Sequence, residues 1–81
     1  MRLDKYLKVS RLIKRRTVAN EACDTQRVIV NGREAQASYQ VKVGDIIELA
    51  IGSRTLKVKV LAVPEHATKE QAALLYTELT E

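Results

Sequence analysis

The spacing of apolar residues changes period once along this chain, at about Arg27, and the change limits which folds are open to it. Before that point Leu3, Tyr6, Leu7, Val9, Leu12 and Ile13 fit one face of a helix, and Val18, Ala19, Ala22 and Cys23 follow at i, i+1, i+4 and i+5. After it, RVIVNGREA, IIELAI and RTLKVKV alternate with period two. Helices followed by short strands in 81 residues predict one small α+β domain with a single sheet layer. At this length only roughly two thirds of the unfolded chain's surface is buried on folding. Trp and Phe are absent, so the core is built from Val, Ile, Leu and Ala. Such a core leaves little room for an enclosed active site, and a surface that binds is the better expectation.

Within the helical part, Asp4 suits a helix start, where its carboxylate accepts from unpaired backbone N–H groups. Ser10 marks the expected end of the first helix and residues 11–14 the connection. A second helix is expected over about 16–24, with small side chains that let the two helices approach closely. In the strand part, Asn31-Gly32 is a strong hairpin signal, because both central residues of a type I′ turn need positive φ. Residues 36–42 read as a loop or irregular strand, Gly44-Asp45 as a turn, and Gly52-Ser53 as a two-residue turn into a strand over 54–63. Pro64 ends the sheet. Thr68 and Gln71 have capping-box spacing, and Ala72, Leu75, Tyr76 and Leu79 then predict a C-terminal helix carrying an acidic surface that should not approach nucleic acid.

Charge is distributed unevenly. The first 20 residues hold seven Lys or Arg against one acid, Asp4, a local +6, whereas the whole chain nets +4. The remaining residues therefore sum to −2, and the excess is concentrated at one end. An anionic partner is implied, nucleic acid first. A solvated helix face is the ordinary reading of a charge run. Against it stand the absence of interleaved acids and the position of Arg15 and Arg16 at the start of the second helix, where cations oppose the helix dipole. Backbone N–H groups joined there by two guanidiniums make a phosphate site. Few aromatics are available for stacking, so backbone and shape recognition is expected; Tyr39 is the one stacking candidate, with Tyr6 and Tyr76 in apolar stripes.

Enzymatic patterns are missing. The sequence has no Gly-rich phosphate loop, and its single cysteine and single histidine exclude a disulfide within the chain and a multi-cysteine metal site. Cys23 reads as a small buried residue and His66 as an exposed loop residue. Asp4, Glu21, Asp24 and Glu34 are explained as caps or solvated charges. No cofactor or metal is expected. No apolar run approaches the roughly 20 residues that span a bilayer, and MRLDKYLK lacks the apolar segment of a secretory signal, so a cytoplasmic location without membrane contact is expected.

The segments RLDKYL, RVIVNG and VKVGD, with the basic stretch between the first two, together resemble the S-four RNA-binding domain, first described in ribosomal small-subunit protein four. The resemblance covers about residues 1–50. It implies two antiparallel helices packed on a small, bent, mostly antiparallel sheet, to which residues 54–81 add a strand and the C-terminal helix. It also implies a basic surface for structured RNA, with Arg16 as the leading contact. Arg2, Lys5, Lys8, Arg11, Lys14 and Arg15 would supply phosphate contacts, with Arg33 and Lys42 as outer candidates. Stand-alone members of the family resemble the chain best. They imply a monomer that binds large-subunit rRNA and tRNA on stalled large ribosomal subunits still carrying a nascent chain, with RqcH as functional partner during alanine tailing. Two positions depart from the family pattern: Arg15 stands where a Ser or Thr cap is usual, and Gln26 where a glycine precedes the VxVNG strand. A protein-interaction module and an RNA-targeting subunit of a separate modifying enzyme are the alternative readings.

Overall fold

The computed structural model describes residues 1–79, the side chain of Ile51 excepted. Helices α1 (Leu3–Val9) and α2 (Arg16–Asp24) precede strands β1 (Val28–Val30), β2 (Arg33–Glu34), β3 (Ile46–Ile51) and β4 (Arg54–Val60). A single helical turn, α3 (Lys69–Ala72), and strand β5 (Tyr76–Glu78) complete the described chain. The five strands form one sheet in the order β2-β1-β3-β4-β5, antiparallel throughout.

Both predicted hairpins form. Asn31 (φ 53°) and Gly32 (φ 82°) occupy the left-handed region as a type I′ turn requires. The two-residue turn Gly52-Ser53 sets Ile51 opposite Arg54, and from there the register runs back through Leu49↔Leu56 and Ile47↔Val58. With Val28↔Leu49 and Val30↔Ile47 on the other side, one sheet face collects Val28, Val30, Ile47, Leu49 and Val58, all buried. The helices supply Leu3, Tyr6, Leu7, Ala19 and Cys23 to the same core. Burial pushes the Cys23 thiol up to about 11, as befits a packed side chain.

The start of α1 is tied to the sheet by residues 37–41. Helix starts leave N–H groups without intrahelical partners. Here the N–H groups of Leu3 and Asp4 donate to the carbonyls of Tyr39 (2.8 Å) and Ala37 (3.2 Å), and Val41 N–H donates to Met1 O (2.8 Å). The loop is held in turn by Asp45, whose buried carboxylate accepts from Asn31 Nδ2 (3.1 Å), Tyr39 Oη (2.9 Å) and Lys42 N–H (2.9 Å). Burial raises that carboxyl, but these donors outweigh it and hold Asp45 below its ordinary range.

Helix α2 ends where the departure from the family pattern lies. Gln26 takes φ 63°, its N–H donates to Cys23 O (3.1 Å), and Arg27 N–H donates to Ala22 O (2.9 Å). This is a Schellman termination with glutamine in the position glycine fills most easily.

The C-terminal segment corrects the expected long helix. The capping box forms in full, with Gln71 N–H donating to Thr68 Oγ1 and Thr68 N–H to Gln71 Oε1, yet the helix stops at Ala72. Leu75 is buried as the helical stripe required, but Tyr76–Glu78 pairs with β4 in the register Val60↔Tyr76, Lys59↔Thr77 and Val58↔Glu78. Without this strand β4 would be an edge with a row of unpaired backbone groups, and covering it outweighs the weak local preference for helix. Thr80 and Glu81, the end of the expected helix, lie outside the described residues.

Candidate nucleic-acid interface

Asp4 organises the basic end of the molecule. Its side chain is 4% exposed, and it sits in the first turn of α1 while Arg2 occupies the cap position. Arg2 donates to both carboxylate oxygens, Nε to Oδ1 at 3.1 Å and Nη2 to Oδ2 at 3.3 Å. From α2, Arg16 Nε and Asn20 Nδ2 each reach Oδ2 at 3.4 Å, and Lys5 N–H donates to Oδ1 at 2.8 Å. Burial by itself would raise this carboxyl. The hydrogen bonds from Arg2, Asn20 and Arg16, with that of Lys5 N–H, outweigh it and hold the group below its ordinary value. Arg2 and Arg16 remain close to half exposed at 46% and 47%. The arrangement is two guanidiniums aimed by one buried acid, each keeping part of its fork of donors toward solvent.

The other expected contacts divide among three places. Lys5 is paired with Glu65, which holds that carboxyl below its usual range. Lys8, Arg11 and Lys14 line one open cleft, and exposed Arg15 caps α2 through its backbone without a side-chain cap bond. Arg33, on β2, and Lys42, in the loop that Asp45 holds, are exposed on the sheet side. Tyr39 is half-buried with its hydroxyl given to Asp45, which makes it a loop anchor first.

Three features escaped the sequence reading. Asp4 as the joint of Arg2, Arg16 and Asn20 required the packing of α1 on α2, and only Asp4 as the sole acid among seven cations hinted at it. Asn20 carries no local signal. His66 and Lys69 line the same cleft as Lys8, Arg11 and Lys14, whereas the sequence pointed to His66 only as an exposed loop residue and to an acidic helix surface that should not approach nucleic acid.

The geometry defines a small α+β domain with an arginine pair fixed on the first two helices, and comparison with known proteins agrees with it. The chain belongs to the S4 domain family, which it matches over residues 1–47. It is 52% identical over its whole length to the RQC P-site tRNA stabilizing factor of Streptococcus pneumoniae, covering 92% of that protein. It is 49% identical, again over its whole length, to the factor of the same name from Bacillus subtilis, covering 94% of it. Among solved structures, a trimeric structure of Vibrio cholerae heat shock protein 15 superposes with a TM-score of 0.91 at 29% identity, over 98% of this chain and 81% of that one.

Proposed function

We propose that this chain is a non-enzymatic RNA-binding factor that binds large ribosomal subunits carrying stalled peptidyl-tRNA. On this reading it contacts rRNA and P-site tRNA and supports alanine tailing of the nascent chain, working in the cytoplasm as a monomer with RqcH. The observation that carries the reading is the Arg2–Asp4–Arg16 cluster, which lies within the residues matched by the family. The relatives that match the whole chain at about half identity, named for stabilising P-site tRNA, give the RNA its identity.

In mechanism, Asp4 holds the guanidiniums of Arg2 and Arg16 in place before RNA arrives, so less side-chain freedom is lost on binding. Arg16 is the leading contact, with Arg15 beside it at a helix start that no side chain caps; phosphate oxygens suit both features. Arg2, Lys5, Lys8, Arg11 and Lys14 extend the positive surface, and Arg33 and Lys42 extend it to the sheet side. Residues 1–81 act as one S4-type unit, the core of about 1–50 being completed by the C-terminal segment. Sequencing the RNA crosslinked to the protein in cells tests the reading. Coincident peaks in large-subunit rRNA and tRNA are expected; stoichiometric recovery of a modifying enzyme without tRNA would instead favour a targeting subunit.

A further inference from the structure

Lys8, Arg11 and Lys14, at and after the end of α1, share their cleft with His66 and Lys69 from the segment that leads into α3. The floor between them is apolar, formed by half-buried Val9 and Ala67, and among the described residues no acid lines the cleft. All five basic side chains are exposed, and none hydrogen-bonds or ion-pairs with another described residue. Of the other four cations in the first twenty residues, Arg2 and Arg16 share Asp4 and Lys5 has Glu65, while exposed Arg15 has no side-chain partner among the described residues either.

Two local choices here work against stability. Lys8, Arg11, Lys14 and Lys69 crowd one concavity that has no acid among its described lining residues, which self-repulsion disfavours. Arg11 also takes φ 60° just past the helix end, where glycine is least strained, while its N–H donates to Lys8 O (3.0 Å). An external polyanion accounts for both. The charges come from separate segments and converge on no enclosed cradle, so they suit the repeated phosphates of a strand better than one compact anion. The cleft shares no lining residue with the hollow that Asp4, Arg16, Thr17 and Asn20 form.

We propose that this cleft is a second RNA contact, gripping the phosphodiester backbone separately from the Arg2–Asp4–Arg16 cluster and recruiting His66 and Lys69 from outside the residues that the family match covers. The inference rests on the RNA-binding reading above and assigns a role to the C-terminal segment. Lys5–Glu65 and the bond from Tyr6 Oη to Leu75 O (2.7 Å) hold that segment against α1 and so build the cleft.

The experiment is cosedimentation with purified large ribosomal subunits across a salt series, with thermal melts of each variant. Lys69→Ala should weaken binding roughly five- to eightfold at about 0.1 M monovalent salt and lower the log–log salt slope by a little under one unit, the effect of one lost phosphate contact. His66→Ala should weaken binding less. Arg11→Gly should weaken it about as much as Lys69→Ala while raising the melting temperature, an opposition that a purely structural role does not produce. Lys59→Ala, at an exposed position of β4, controls for net charge and should change binding less than twofold. Wild-type affinity and slope in Lys69→Ala and Arg11→Gly, while Arg16→Ala is weakened, would overturn the cleft proposal and leave the RNA reading intact. Failure of the wild-type protein to bind subunits at all would overturn both.

Discussion

Asp4 does by tertiary contact what a solvated acid cannot. Its carboxyl is held below the ordinary value of 3.8, so the stability it contributes is complete above that pH and is lost as pH falls through the lower folded value. Thermal melts from neutral to strongly acid pH should therefore show wild type and Asp4→Asn far apart near neutrality and converging in acid. Asp45 titrates in both proteins and cancels in the comparison. At neutral pH the loss of charge-assisted bonds should cost about 1–3 kcal/mol. Gln26 is the opposite kind of residue, one whose replacement should help. Gln26→Gly relieves the left-handed backbone and should stabilise by about 1 kcal/mol, a rise of roughly 4–8 °C in a melt of a domain this size. The VxVNG resemblance marked Gln26 as the unusual residue; the φ of 63° gives the physical reason.

At the level of elements, α1 is tied at its beginning by the loop carbonyls of Ala37 and Tyr39 and through Tyr6 to the C-terminal segment. The Tyr6 hydroxyl donates to Leu75 O, a carbonyl that also accepts from the N–H groups of Leu61 (2.8 Å) and Ala62 (3.2 Å). Removing the hydroxyl thus leaves no unsatisfied acceptor, and Tyr6→Phe should cost only about 0.5–1.5 kcal/mol. Tyr6→Ala, which empties a fully buried position, should cost about 3–5 kcal/mol. Chemical denaturation of both variants checks the difference. Elements set by local chemistry were legible in advance: α2 over Arg16–Asp24, the Asn31-Gly32 turn and the Thr68 capping box. Strand β5 was not, because Tyr76–Glu78 has helical spacing and becomes a strand only when the edge of β4 lies beside it.

For the whole molecule, the expected observable is electrostatic. If about five phosphates are neutralised, binding to large subunits should fall with salt at a log–log slope on the order of −4; a flat salt series would contradict it. Arg16→Ala should weaken that binding markedly while leaving the melt within a few degrees. Its guanidinium is half exposed and reaches the buried Asp4 carboxylate at a long 3.4 Å, so the pairing contributes about 0–1 kcal/mol, and Asp4 keeps Arg2, Asn20 and Lys5 N–H.

The chain's order of charges and periods determined much by itself. The change from helical to alternating spacing specified helices before sheet, because each period buries one face in only one kind of element. The surplus of seven cations over one acid placed the basic end on α1 and the start of α2. What only the tertiary structure decided is how those cations are partnered. Packing α1 on α2 joins Arg2 and Arg16 through Asp4, and folding the C-terminal segment against α1 gives Lys5 to Glu65 while setting His66 and Lys69 beside Lys8, Arg11 and Lys14. These partners are up to about sixty residues apart in sequence. Local spacing carries no signal for contacts of that range, since packing and sheet pairing across the whole chain bring the partners together.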